Sequence, residues 1–140
     1  MIVDKNEGIW VHNFNSHKLM KFDSLLKLEK EWEANEIELA NGSSTLTQNQ
    51  DRTLIYWYKG GNEGVVISAD TKEIVDSFDY MTDLCPVMKG MVPLKDQPLL
   101  LVVTNNHAFD EPRFHYFDTK RNKILNKYSY SDITGGSLDV

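Results

Sequence analysis

Apolar residues occur along this chain in short runs that are separated by residues typical of turns. Leu54 to Tyr58 lead into the glycine-rich residues 60–64, and Leu99 to Val103 lead into Thr104-Asn105-Asn106. Short runs of aliphatic, β-branched and aromatic residues between turn signals are typical of β-strands. Because residues 99–103 are apolar at every position, we predict a central strand there, covered on both faces.

One hairpin pattern occurs three times, in residues 10–22, 65–78 and 113–128. Each copy is an apolar strand, then Asn or Asp with Ser or Thr, then polar residues including Lys, then apolar residues that lead to an aromatic one. Asn and Asp favour turns because their side chains hydrogen-bond the backbone two residues further on. The pattern predicts antiparallel three-stranded meanders at about 53–80 and 98–130.

Residues 24–34 fit two structures. Leu25, Leu28 and Trp32 share one face at helical spacing, and Asp23 or Ser24 could cap the first turn, so we predict at most one short helix here, at about 24–34. The alternative is an exposed strand in which charged and apolar side chains alternate. That strand would contain Glu29, Lys30, Glu31, Trp32 and Glu33.

The 140 residues are predicted to form a single domain, since this length supports one hydrophobic core and not two. Glu36 to Leu39 alternate as a short strand, and the polar residues 41–52 are predicted to be a loop. Residues 83–97 contain Pro86 and Pro93, so we predict a long connection there, forming a seam within the domain. The last residues, 134–140, are expected to fray.

The hairpins resemble the outer strands of β-propeller blades, whose repeats have a similar length. Two of the three copies carry Asp-Thr-Lys, at 70–72 and 118–120. The resemblance implies a mainly β fold of propeller-blade-like hairpins. Because closed propellers have about four to eight blades, three units are too few for a ring, and we expect the hairpins to form one antiparallel meander or a sandwich.

The compartment is predicted from what the sequence lacks. No apolar stretch reaches the roughly 18 to 20 residues that a membrane helix needs, and Asp4 and Glu7 interrupt the place of a signal peptide core. Cys85 is the single cysteine, which fits a reducing environment. We therefore expect a cytoplasmic protein that does not contact membranes.

The charge distribution indicates what kind of partner the chain could bind. The formal net charge is -6, and residues 61–110 hold eight Asp or Glu against three Lys or Arg. Such a surface would attract a basic protein and repel a phosphate backbone, so direct binding of nucleic acid is not expected. The alternative is that these carboxylates are solvated edges that discourage aggregation of sheets.

The predicted partner-binding residues are two acidic groups with neighbouring aromatic residues, which could anchor an interface. They are Asp70, Glu73, Asp76, Asp79, Tyr80 and Asp83, with Glu29, Glu31, Glu33 and Trp57. Aromatic residues are also what a small β core requires, so a core role is the alternative for the two rings.

No catalytic residue, metal site or cofactor is predicted. His12, His17, His107 and His115 show no metal-binding spacing, and Cys85 has no neighbouring histidine in sequence. His107 with Asp110 and Glu111 could reach one ion, but we expect them to be solvated loop residues between two strands. We therefore do not expect an enzyme.

A small, acidic chain rich in Lys, Asn and Tyr, without a catalytic signature, resembles the bacterial immunity proteins of contact-dependent inhibition systems. The resemblance implies a protein that binds and neutralises a basic toxin nuclease domain through its acidic, aromatic-containing face. The alternative function is a structural or interaction repeat module, either a fragment of a β-propeller or a self-assembling unit. The oligomeric state is left open.

Overall fold

A computed structural model of the chain describes residues 1–13, 18–33, 45–59, 63–80, 87–105 and 112–129. These residues form three four-stranded antiparallel sheets and contain no helix. Sheet 1 consists of β1 (Ile2–Val3), β2 (Ile9–Asn13), β3 (Lys18–Phe22) and β4 (Leu28–Glu33). Sheet 2 consists of β5 (Thr45–Gln48), β6 (Leu54–Tyr58), β7 (Glu63–Ser68) and β8 (Ile74–Asp79). Sheet 3 consists of β9 (Val87–Pro93), β10 (Leu99–Asn105), β11 (Pro112–Asp118) and β12 (Lys123–Ser129).

In each sheet the strands follow one another in chain order, so every sheet is a simple meander. The sheets come nearest to one another at their first strands, where β1 lies beside β5 and β5 lies beside β9. The first strands begin at Ile2, Thr45 and Val87, which are 43 and 42 residues apart. The chain is therefore three successive copies of one four-stranded unit, each starting from the same inner edge.

The predicted fold class, antiparallel meanders of propeller-blade-like hairpins, is confirmed, and the hairpins are distributed over three sheets where one sheet or a sandwich was expected. Two apolar clusters lie between the three sheets, one on each side of sheet 2, so sheet 2 is in the middle. One cluster joins sheets 1 and 2 through Trp10, Leu19, Ile55, Trp57, Val65 and Ile67. The other joins sheets 2 and 3 through Tyr58, Val66, Phe78, Tyr80, Met91, Leu100, Val102 and Phe117. Because side chains alternate along a strand, sheet 2 covers both neighbours with opposite faces.

The predicted helix at 24–34 is wrong, because residues 28–33 form β4 and pair with β3. The aspartate expected to cap a helix instead closes a turn, since Asp23 Oδ1 accepts hydrogen bonds from the backbone N–H groups of Leu25 and Lys27, each at 2.9 Å. Leu26 has a φ of 66°, which ends any helical path. The alternating strand pattern was the correct alternative.

The first strand of every sheet was missed, and no strand was predicted at Ile2–Val3. Thr45–Gln48 lies in the predicted loop 41–52, and Val87–Pro93 lies in the predicted seam 83–97. Pro93 ends its strand, where the missing N–H does not interrupt the pairing. The predicted strand Glu36–Leu39 and the tail 134–140 lie outside the described residues.

The three predicted copies of the hairpin do not occupy equivalent positions in their sheets. The first predicted copy is the hairpin β2–β3, the second and third strands of sheet 1, whereas the other copies are β7–β8 and β11–β12, the third and fourth strands of their sheets. The turn between third and fourth strands, here called the outer turn, comprises residues 23–27, 69–73 and 119–122. Each outer turn holds one residue with positive φ, namely Leu26, Lys72 or Asn122.

Candidate functional site

Glu29 and Glu73 hold sheets 1 and 2 together. The Glu29 carboxylate lies 2.6 Å from Lys21 Nζ and also contacts Lys72 Nζ of the next sheet. Hydrogen bonds from these two ammonium groups lower the pKa of Glu29 below its ordinary value of 4.5. Lys30 Nζ lies 3.1 Å from the Glu73 carboxylate and donates to the Lys72 carbonyl at 2.9 Å. Both glutamates therefore serve internal contacts between sheets.

Three further predicted acids also have partners within the chain. Glu31 and Glu33 lie 3.3 and 3.8 Å from Lys18 Nζ on the neighbouring strand. Asp70, in the outer turn of sheet 2, accepts a hydrogen bond of 2.7 Å from Asn6 of sheet 1. Pairs this exposed contribute little free energy, and only the shared Lys18 offsets negative charge, since Asn6 is neutral.

Asp76 and Asp79 differ from the other predicted acids. Both are exposed on β8, and no Lys or Arg of the described ranges forms an ion pair with either. Being three positions apart on a strand, the two carboxylates leave opposite faces of the sheet. Asp83 lies outside the described residues. The predicted acidic face is thus divided between internal ion pairs and separate surface positions.

The two predicted aromatic anchors are core residues. Trp57 and Tyr80 have 0% and 1% of their surface exposed, Trp57 between sheets 1 and 2 and Tyr80 between sheets 2 and 3. Neither ring is accessible to a partner. Burial raises the pKa of Tyr80 above its ordinary value of 10.0, with a smaller contribution from Tyr58.

The two described histidines that were considered for catalysis or metal binding lie in different interfaces between sheets. His12 lies beside Trp57, with ring centroids 6.0 Å apart, and His115 is buried between sheets 2 and 3. Cys85, His17, His107, Asp110 and Glu111 lie outside the described residues. Among the residues that the structure describes there is no helix with the length and apolarity that crossing a membrane requires.

Sheets 1 and 3 each carry an apolar face that no other described sheet covers. We call the face of sheet 1 directed away from sheet 2 the rear end face. Its side chains belong to the strand positions that alternate with Trp10 and Leu19. The apolar ones are Val3, Ile9, Val11, Met20, Phe22 and Leu28, all partly or largely exposed. Lys18, Glu31 and Glu33 occupy the same face at the other end of β3 and β4.

The face of sheet 3 directed away from sheet 2 is the forward end face. Its positions alternate with Leu100, Val102 and Phe117, which pack on sheet 2. The forward end face consists of Val92, Leu99, Leu101, Val103, Phe114 and Tyr116, again partly or largely exposed. Gly90 pairs with Val103 on this face, and a Cβ added there would meet no atom within 4 Å.

A cleft of about 530 Å³ lies between the first turns of sheets 2 and 3. Leu54, Tyr56 and Pro93 line its apolar side, and Asp51, Lys95 and Asp96 line its polar side. Burial, and to a lesser degree the charge of Asp76, raise the pKa of Tyr56. This cleft carries both positive and negative groups, so its charge indicates no particular class of ligand.

Comparison with known proteins gives a fold and no family. No family model matches the chain, and no curated protein matches it by sequence. The hydrazine synthase of Kuenenia stuttgartiensis matches in structure with a TM-score of 0.65 at 17% identity over 91% of this chain. The WD40 domain of Pan2 from Neurospora crassa matches with a TM-score of 0.62 at 11% identity, also over 91%. A protein of unknown function from Bacteroides caccae gives 0.64 at 10% identity over 93%.

The chain has a β-propeller-type fold. Each four-stranded sheet is one blade, which confirms the resemblance of the hairpins to propeller blades. The chain spans 35%, 36% and 48% of the length of these three structures, so it corresponds to part of each. At such low identities the likeness shows the fold alone, and nothing in it supports toxin immunity.

The end faces were missed by the sequence analysis, although their signal was present. Residues 99–103 were predicted to be covered on both faces because every position is apolar. The structure covers one face with blade 2 and leaves Leu99, Leu101 and Val103 partly exposed.

Proposed function

We propose that this chain is a structural and interaction module, a three-bladed segment whose end faces bind further β-propeller blades. The observation that carries the proposal is the pair of uncovered apolar faces at the two ends of the blade series. Contiguous exposed apolar patches mark interaction sites, because leaving them in water costs free energy.

The internal interfaces support the choice of a blade as the occupant. Blade 2 binds blade 1 through the alternate residues Ile55, Trp57, Val65 and Ile67, and it binds blade 3 through the opposite face. The end faces likewise present aliphatic and aromatic side chains at alternate strand positions. A flat, four-stranded apolar face is best covered by another sheet, since sheets pack face to face.

Carbene labelling tests this proposal, because the reagent inserts into exposed side chains of any type. Labelling would be compared between the purified chain at nanomolar concentration and the protein in extracts of its native cells. Val92 and Leu28 should be labelled in the purified chain and protected in the extract. Val75, exposed on the outer strand of blade 2, is the accessible control, and the buried Phe117 is the inaccessible one.

Equal labelling of Val92 and Leu28 in both samples would contradict the proposal, because it would show that nothing covers the end faces where the protein works. Protection of Val75 as well would point to a partner that binds the outer strands instead.

A basic protein partner is a second candidate, favoured by Asp76 and Asp79, two exposed acids that form no ion pair with a described residue. Neutralisation of a basic toxin nuclease would use this pair. The test is capture of such a domain by the native chain and by the double variant Asp76→Lys with Asp79→Lys. Loss of salt-sensitive binding in the variant supports this candidate, and equal binding removes it.

A further inference from the structure

We infer that the sheet covering the forward end face is blade 1 of a second copy of this chain, and that two copies associate head to tail. The inference rests on the proposed function, because it names the occupant of the faces that the proposal assigns to blades. The occupant is identified by the type of face, the number of blades and the outer turn of sheet 1.

The two free faces are of opposite type. In both internal interfaces, the forward face of one blade packs against the rear face of the next. The series leaves one forward face, on blade 3, and one rear face, on blade 1. Each copy therefore offers what the other lacks, so the contact is heterologous, with different surfaces meeting.

The number of blades in a closed propeller is consistent with a pair of copies. A heterologous contact closes into a ring when the rotation between neighbours allows it. Closed propellers contain about four to eight blades, and two copies of the described three-blade series give six. In this ring both end faces of each copy are covered.

The outer turn of sheet 1 points to the same partner. In the internal interfaces, the fourth strand of one blade contacts the outer turn of the next: Lys30 of β4 meets Lys72 and Glu73, and the Asp79 N–H of β8 donates to Asn122 Oδ1 at 3.0 Å. Applied to the ends, this relationship places β12 of one copy against residues 23–27 of the other.

The outer turn of sheet 1 is apolar where the corresponding turns of sheets 2 and 3 are polar. The outer turn of sheet 1 presents Leu25 and Leu26, which are 87% and 71% exposed. The corresponding turns of sheets 2 and 3 carry Asp70-Thr71-Lys72 and Lys120-Arg121-Asn122. Leu125 of β12 is exposed as well. Two leucines at the tip of a turn are thus matched by a leucine on the strand that would face them.

Leu26 also occupies a costly backbone conformation. Its φ of 66° lies in the left-handed region, where a bulky side chain is disfavoured and Asn is tolerated, as at Asn122 in the same position of sheet 3. An exposed leucine gains nothing in the single chain that offsets this strain. Burial against β12 of a second copy would offset it.

Light scattering and sedimentation of the full chain test the inference between about 0.1 and 100 μM, the range in which weak and strong protein pairs differ. The wild type should change from monomer to dimer, with no larger species. Val92→Arg on the forward end face should raise the dissociation constant at least about tenfold, as expected at the centre of an interface. Val75→Arg on blade 2 is the matched control, because both valines are 56% exposed, and it should leave the constant unchanged.

Leu26→Asn is a second variant that should weaken the dimer without unfolding the chain. This variant should keep or raise the melting temperature of the monomer, because Asn tolerates the left-handed conformation, while it weakens the dimer. A weaker dimer with an intact fold supports the inference. An unchanged dissociation constant for both Leu26→Asn and Val92→Arg would overturn it.

A mixing experiment distinguishes head-to-tail association from pairing of identical faces. Gly90→Arg blocks the forward end face from a position with open space, and Val11→Arg blocks the rear end face. Each variant alone should be monomeric, and the mixture should form a heterodimer through the remaining forward and rear faces. A homodimer of either variant would overturn the head-to-tail arrangement.

Failure here can be told apart from failure of the proposed function. A wild-type chain that stays monomeric at 100 μM overturns the second copy as occupant; that concentration is about the level where weak pairs form. If Val92 and Leu28 are nevertheless protected in cell extracts, other blades cover the end faces and the proposed function stands.

Discussion

The phenol oxygen of Tyr80 lies 2.5 Å from Nε2 of His115, and the two rings stack with centroids 5.6 Å apart. Tyr80 follows β8 and His115 lies on β11, so this hydrogen bond joins blades 2 and 3. Both side chains are buried. This polar contact within an apolar interface fixes the position of one sheet relative to the other. Any other position would leave the buried polar atoms of Tyr80 and His115 without this hydrogen bond.

Tyr80→Phe should destabilise the chain by about 1 to 2 kcal/mol, since it keeps the ring and removes the hydroxyl from a buried hydrogen bond. Urea unfolding monitored by circular dichroism measures the change. Tyr56→Phe is the control, because no hydrogen bond of the Tyr56 hydroxyl occurs within the described ranges. Equal stability of Tyr80→Phe and wild type would show that the bond does not contribute.

Alkaline pH should destabilise the wild type through Tyr80. Burial raises its folded-state pKa above 10.0, so the contribution to stability is complete below pH 10 and is lost as pH rises through the folded-state pKa. The free energy of unfolding should therefore fall above about pH 10. Tyr80→Phe should show a shallower decline over the same pH range, and parallel curves for the two proteins would contradict the assignment.

Gly64→Ala should cost roughly 1 to 3 kcal/mol, because a Cβ at this position would overlap the ring of Phe78 in the interface between blades 2 and 3. Gly90→Ala is the matched control in another strand. Its Cβ meets open space, so the free energy of unfolding should stay the same or rise by up to about 1 kcal/mol. Thermal unfolding of both variants measures the contrast, and a larger loss for Gly90→Ala would refute it.

Glu29→Gln should weaken the contact between blades 1 and 2 at neutral pH and leave it nearly unchanged in acid. Lys21 and Lys72 lower the folded-state pKa of Glu29, so its contribution is present above 4.5 and is lost as pH falls through the folded-state pKa. Melting temperatures between pH 3 and 7, a span of about two pH units on either side of that value, should converge for variant and wild type at the acid end. Glu33→Gln, at a more exposed site, is the control and should have little effect throughout.

The partly correct sequence predictions have a common physical reason. Local chemistry was sufficient for β6, β10 and the turn after β11, since short apolar runs between turn residues indicate strands and Asp118 accepts a hydrogen bond from the backbone N–H of Lys120, two residues further on. It was insufficient for residues 24–34, because Leu25, Leu28 and Trp32 fit helical spacing and β4 alike. Pairing with β3 decided between them. The polar strand Thr45–Gln48 likewise exists because β6 supplies its hydrogen bonds.

The candidate site depended on tertiary structure almost entirely. A strand's alternation tells which side chains share a face, but not what covers that face. The sequence by itself determined that this chain is a series of antiparallel hairpins, because hydrophobic alternation and turn residues act over a few positions. Only the tertiary structure decided that Trp57 and Tyr80 are buried, that Glu29 and Glu73 are paired, and that apolar faces remain at both ends. Those outcomes depend on how sheets that are far apart in sequence stack on one another. A pattern within a few residues contains no information about such contacts.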